Sequence, residues 1–188
     1  MSGPGGGAAR GGAPGAPAAD EYAAYYAGYV ARVPPGDVRE HLERQGRATA
    51  AALRALNPAQ LGARYAPGKW SVAEAVGHVL DAERIFAYRA LRIGRGDETP
   101  LPGFEQDRYV PAGAFDGRSA ADLAEEYASV RAATLTLLRG LPAEAWRRRG
   151  TASGHPVTAR ALAYMIAGHE LHHLAVLREK YGLSLGDG

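Results

Sequence analysis

Ala159-Arg160-Ala161-Leu162-Ala163-Tyr164-Met165-Ile166-Ala167-Gly168-His169-Glu170-Leu171-His172-His173-Leu174-Ala175-Val176-Leu177 is the stretch that decides how this chain folds. Stepping about 100° per residue from Leu162 places Met165, Ile166, His169, His173, Val176 and Leu177 on one stripe of a helix. Two imidazoles four residues apart therefore sit one above the other in an apolar face. Buried rings need partners for their polar atoms. A metal ion shared by both rings supplies them, and so do separate contacts made by two unrelated core histidines. A third histidine is needed to choose.

The segments upstream repeat the pattern. A first helix is predicted from about Val38 to Leu56, with Leu42, Gln45, Thr49, Ala52, Leu53 and Leu56 on one face and Asn57-Pro58 closing it. A second opens at Ser71-Val72-Ala73-Glu74, the spacing of a capping box. It turns Val72, Val76, Val79, Phe86 and Ala90 inward and ends near Gly94. A third begins at Ser119, with Asp122 three residues on, and carries Leu123, Tyr127, Val130, Thr134, Leu137 and Leu138. The fourth runs from about Thr158 to Tyr181, and Gly182 is its stop. No segment alternates with period two for long, so the expected class is all-α, a four-helix bundle.

Tyr22, Tyr25, Tyr26 and Tyr29 follow helical spacing and add a short N-terminal helix, stopped by Pro34-Pro35. This stripe reads as a lid packed on the domain or as an aromatic wall facing a substrate. The links, roughly 57–70, 94–118 and 140–157, exceed the about 2–8 residues usual between bundle helices. The middle one, from Gly96 through Pro100-Leu101-Pro102-Gly103-Phe104, can span a whole helix at about 3.3 Å per residue. Helices two and three can then be parallel, joined by a long crossover.

Composition narrows the rest. With 188 residues and 46% hydrophobic content, one globular domain is expected. Net charge is +2, and Arg147-Arg148-Arg149 is the longest basic run. Nothing resembles a basic region or an aromatic–basic RNA motif, so no nucleic-acid partner is expected. The chain has no cysteine, which excludes disulfides, thiolate metal sites and a cysteine nucleophile. No apolar run approaches the roughly 20 residues of a membrane span, and no membrane partner is expected. Residues 1–20, rich in Gly, Ala and Pro, lack the apolar core of a secretory signal and are expected to be a disordered tail. Cytoplasm follows as the expected compartment. Residues 21–182 form the expected domain and 183–188 a flexible C-terminus.

The third histidine is His78, on helix two, toward the flank of its apolar stripe beside Ala75, Ala82 and Ile85. A flank position in a bundle can point at the next helix. His78, His169 and His173 would give one ion three neutral nitrogens and leave a position for water or substrate, the pattern of a catalytic zinc-type site. Imidazole suits Zn, Ni, Cu or Fe. Gly77, Ala75, Ala167 and Gly168 would leave room beside the ligands or serve close helix packing.

With these residues in view, the chain resembles the DinB-like, or YfiT-like, four-helix-bundle metalloproteins over roughly residues 22–181. The resemblance rests on Tyr25-Tyr26 before Val33-Pro34 and on Tyr65-Ala66-Pro67-Gly68-Lys69-Trp70-Ser71 leading into Gly77-His78. It also rests on the block from Gly168-His169 to His173, and Pro100 to Asp107 looks like the crossover loop of one branch. It implies one divalent metal ion, zinc or nickel first, held by His78, His169 and His173. Characterised relatives are thiol S-transferases and maleylpyruvate isomerases that use small thiols such as bacillithiol or mycothiol. A small-molecule substrate, a low-molecular-weight thiol cosubstrate and a homodimer are the corresponding expectations.

His169-Glu170-Leu171-His172-His173 also matches H-E-x-x-H, the zinc metallopeptidase helix. That mechanism needs Glu170 as base and a third ligand downstream, and no histidine follows His173. Glu170 reads better as a helix-flank residue or an arginine's partner, and His172 as a spare imidazole. Glu83 on the helix-two stripe needs a partner, for which Arg131 is the candidate, unless it opens onto a solvated end. Gln45 and Thr49 face the metal cavity or bond to backbone. Asp81, one turn from His78, is either surface or the acceptor for that ring's second nitrogen. The leading expectation is thiol transfer to an electrophile. The alternatives are hydrolysis by metal-bound hydroxide and a binding module without turnover.

Overall fold

The structure, a computed structural model, describes residues 15–185. Its elements in chain order are α1 (Ala27–Val30), α2 (Val38–Arg54), α3 (Pro58–Leu61), α4 (Val72–Gly94), α5 (Gln106–Gly113), α6 (Ala120–Arg139), β1 (Arg149–Ala152), β2 (His155–Thr158) and α7 (Ala159–Tyr181). The long helices α2, α4, α6 and α7 are the four that the apolar stripes predict. Their starts are set by side-chain caps. Asp37, Ser71, Ser119 and Thr158 each accept a backbone N–H of the first turn, and Glu74 reciprocates to Ser71 N at 2.8 Å. Each such cap is worth about 1 kcal/mol. Gly182, at φ +68°, supplies the left-handed stop of α7.

Two apolar clusters stack along the bundle. One joins Phe86, Ala90 and Ile93 to Leu135, Leu138, Leu42 and the first half of α7. The other joins Val72, Val76 and Leu80 to Leu123, Tyr127, Leu53 and Leu177. Start meets start and end meets end for α4 and α6, which are therefore parallel. The same holds for α2 and α7. A crossover between α4 and α6 is what permits this, and residues 95–119 provide it.

The links hold more structure than expected. The crossover carries α5, and residues 149–158 form an antiparallel hairpin with Arg149 opposite Thr158 and Ala152 opposite His155. The strands are only four residues each, too short for alternation to register, and their Gly150 and Pro156 are poor strand formers. The hairpin pins the crossover: Leu101 N donates to Thr151 O at 2.9 Å, and Ser153 N to Leu101 O at 3.0 Å.

The ends differ from expectation as well. Part of the expected N-terminal tail is structured: Pro17 is buried and Ala19–Glu21 is a 3₁₀ turn. The Glu21 carboxylate accepts from Thr158 Oγ1 at 2.8 Å and Arg160 Nε at 2.6 Å, and Asp20 pairs with Arg149 at 2.6 Å. Leu185 is buried in the second cluster, so the expected flexible C-terminus does not start at 183. The remainder of both expected tails, residues 1–14 and 186–188, lies outside the described residues. The tyrosine helix is shorter than its spacing suggests: a 3₁₀ turn, Ala24–Tyr26, leads into α1. It packs as a lid on α7, and a Cβ at Gly168 would lie 2.0 Å from the Tyr29 carbonyl oxygen.

Candidate metal centre

His78 projects from α4 toward His169 and His173 on α7. The His78 and His169 Nε2 atoms are 3.0 Å apart, and those of His169 and His173 are 3.1 Å apart. One ligand atom from each ring lies within 4.8 Å of the others. An imidazole nitrogen offers one in-plane site, either a proton or a lone pair. His169 Nε2 cannot make two directed hydrogen bonds at once, whereas three lone pairs aimed at one point would use every ring. Nitrogens about 2.0–2.1 Å from a common ion, at angles of about 90–109°, stand about 2.8–3.4 Å apart. The two close separations fall in that range, so the donor set fits a single divalent ion.

The protonation states agree with that fit. Burial pushes the His78 ring down to about 4 and the His173 ring down to about 3. Burial, and then the neighbouring rings, hold His169 well below the ordinary imidazole range. All three are neutral near pH 7, which is the state that coordinates.

Aromatic rings enclose the imidazoles. Tyr29 meets His169 edge-on at 5.4 Å between centroids and lies 5.2 Å from His172. Phe86 stands 5.9 Å from His169, and Trp70 stands 4.9 Å from His78. Of the two roles expected for the N-terminal tyrosines, the structure has the lid: Tyr29 packs against two of the rings, and none of these tyrosines lines the cleft beside them. Gly77 and Gly168 serve packing rather than open space, against the Phe115 ring and the Tyr29 backbone. His172 remains outside the converging triplet.

Glu170 is not a flank residue: it is 1% exposed. Its carboxylate accepts from Tyr127 Oη at 2.6 Å, Thr49 Oγ1 at 2.7 Å and Arg131 Nη2 at 2.6 Å. Arg131 also donates to both oxygens of Glu83, at 2.9 and 2.8 Å, and to Leu42 O at 2.9 Å. The anticipated Glu83–Arg131 pair is therefore present and extended by Glu170. The network ties α2, α4, α6 and α7 together, and it removes Glu170 from any role as an H-E-x-x-H base. Gln45 bonds to backbone, donating to Ala167 O at 3.2 Å. Asp81 makes no bond to His78 and lies 3.9 Å from Arg84, with burial pushing its carboxyl up.

A cleft of about 350 Å³ opens beside the triplet, lined by Tyr65, Trp70, Asp107, His172, His173 and Tyr181 among others. Larger grooves between α2 and α6 and between α4 and α6 border none of the three imidazoles. Spacing and periodicity alone assign no role in a site to Trp70, Asp107 or Tyr181. Trp70 had a usable signal, because it stands just before the Ser71 cap, where an apolar residue packs back on the first turn. Asp107 reaches the cleft only through the path of the crossover.

Structural comparison places the chain among similar bundles. YfiT from Bacillus subtilis, reported as a probable metal-dependent hydrolase with an unusual four-helix bundle topology, aligns with TM-score 0.67 and 18% identity over 78% of this chain and 87% of its own. A mycothiol-dependent maleylpyruvate isomerase aligns with TM-score 0.58 and 18% identity over 77% of this chain. The match spans 61% of the isomerase, less than two thirds of it. A DinB-like protein of Bacillus subtilis, YjoA, aligns with TM-score 0.56 and 22% identity over 80% of this chain and 95% of its own. At these identities the likeness is one of fold. No curated protein matches the chain significantly. The family model of the DinB superfamily matches residues 41–177, a span that holds all three converging histidines, and the chain belongs to that superfamily.

Proposed function

We propose that this protein is a metal-dependent enzyme acting on a small molecule, with His78, His169 and His173 holding one divalent ion, zinc or nickel first among the metals that suit imidazole. The observation that carries this reading is the convergence of three neutral nitrogens at the wall of an open cleft. When bound, such an ion supplies Lewis acidity at a position the three ligands leave free, where a thiol or water loses its proton more readily.

Thiol transfer is the reaction best supported. The chain has no cysteine, so the thiol comes from solution. A thiol ionises near pH 8.5 unaided and needs no strong base, which suits a site whose nearest α7 carboxylate is locked in an ion network. The sulfur forms its bond to the electrophilic carbon while the leaving group departs with the electron pair. Trp70 and Tyr181 wall the cleft and shield the reacting groups from water. In this reading His172, which lines the same cleft and is kept neutral by burial, takes the thiol proton on its ring. Asp107 favours a second reading, hydrolysis, because its carboxylate lines the same cleft and could accept a proton from water.

Metal analysis followed by assay separates these. Turnover that requires both metal and a thiol, measured with a haloaromatic electrophile and a panel of thiols, supports the transferase. Thiol-independent cleavage of esters or amides supports the hydrolase. Metal bound without turnover of either kind leaves a binding module.

A further inference from the structure

The cleft beside the histidines has a charge pattern that the metal does not use. Of the 22 basic residues, only Lys69 and Lys180 are lysines, and Lys69 lines this cleft. Asp107, in the first turn of α5, lines it too, and its charge reaches the His78 ring. Among the described residues neither side chain has an ion-pair or hydrogen-bond partner. Their surroundings are firmly tied by contrast. Arg64 donates to Lys69 O at 2.7 Å and pairs with Glu74 and Asp116, and Tyr181 Oη donates to Trp70 O at 2.7 Å. The backbone under Lys69 is thus fixed while its ammonium stays free.

We propose that this cleft selects a zwitterionic ligand, an amino acid or aminoacyl compound whose carboxylate meets Lys69 and whose ammonium meets Asp107. The ligand's side chain then lies between Trp70 and Tyr181 and points at His173. Opposite charges on one small cleft discriminate in both directions. A ligand with only a carboxylate meets Asp107 as a like charge, and one with only an ammonium meets Lys69 as a like charge. A volume of about 350 Å³ lies in the range of small-molecule sites. The inference rests on reading this cleft as the substrate site, and it adds the ligand's charge pattern to that reading.

Calorimetric titration with three thioethers tests it without engaging thiol chemistry: S-methylcysteine, N-acetyl-S-methylcysteine and 2-(methylthio)ethylamine. The zwitterion is expected to bind at least tenfold tighter than either singly charged analogue. In Lys69→Met the advantage over the amine should vanish. In Asp107→Asn the advantage over the N-acetyl compound should vanish. Both side chains are exposed, so the fold should tolerate either change, and circular dichroism checks that. Equal binding of the three probes, or advantages that survive both substitutions, would overturn the proposal. A separate arm addresses the thiol reading: cysteine should bind the zinc-loaded protein more tightly than S-methylcysteine does, and bind the metal-free protein equally. Failure of that arm alone removes the thiol and leaves the charge recognition intact.

Discussion

Two polar clusters share one turn of α7 and are completed in opposite ways. Both carboxylate oxygens of Glu170 are engaged from within the chain, Oε1 by Tyr127 and Thr49 and Oε2 by Arg131. His169 and His173, its neighbours on the same helix, aim their nitrogens at each other and at His78. His78, His169 and Glu170 are all buried, and burial alone does not tell the clusters apart. What does is whether the protein itself supplies the partners. A network completed by protein groups specifies how four helices meet, whereas donors that converge without enough protons to share are poised for something from outside.

The contrast yields its largest test at Arg131. Arg131→Met leaves Glu83 and Glu170 buried without their cation and should cost about 3–5 kcal/mol of stability, read as a lower urea midpoint. A loss under about 1 kcal/mol would deny the network its structural role. His173→Ala should do the reverse. Structural zinc sites with four ligands bind with about 10–16 kcal/mol, so removing one ligand should weaken metal affinity by about 3–4 kcal/mol. The helical circular dichroism of the metal-free protein should persist, because apolar stripes rather than the metal hold the bundle. A soluble but unfolded His173→Ala chain would make the metal structural.

Acid sharpens the difference further. An unfolded imidazole takes its proton near pH 6.5, and the folded His78 ring takes it only near 4. Between those values the unfolded state binds more protons, so the stability of the metal-free protein should fall as pH drops from 6.5 to 4 and stay level above 7. The loss from this group is of order 2–3 kcal/mol, and His78→Phe should flatten its share. Urea midpoints at pH 7 and 4.5 in chelator measure it. The smallest effect is expected from Glu170→Gln on turnover, less than tenfold or under about 1.4 kcal/mol, at matched metal content and a temperature where the variant is folded. A general base would contribute 10²–10⁴-fold, and a loss of that size would return Glu170 to the chemistry.

The four long helices were legible because the capping residues and apolar stripes agree, and α4 and α6 start where their serine caps put them. The histidine triplet was legible because i, i+4 spacing fixes two of its members and only one further histidine lies on an inward stripe of helix two. Of the two readings of Glu170, the arginine's partner is the one the structure shows, and the flank fails for a physical reason. Assigning it to a flank assumes that α7 has a solvated side, but residues 161–170 of α7 are buried all round, partly under the N-terminal segment. The hairpin was missed because its strands are short, although Ser153-Gly154, both at positive φ, mark the turn. Asp81 was offered to His78 from sequence proximity alone, and its side chain turns to Arg84 instead.

The nearness of Trp70 to His78 has an optical consequence. An indole 4.9 Å from an imidazole lies within quenching range of a protonated ring or a transition-metal ion. The chain's other indole, Trp146, is fully buried in the opposite cluster against Arg39, where it contributes a steady background. The intrinsic fluorescence of the native chain should therefore report site occupancy without any label. Nickel should dim it through Trp70, and zinc, which has no d–d transitions, should shift it with little loss. In Trp70→Phe, the Trp146 emission should remain and the response to both metals should vanish.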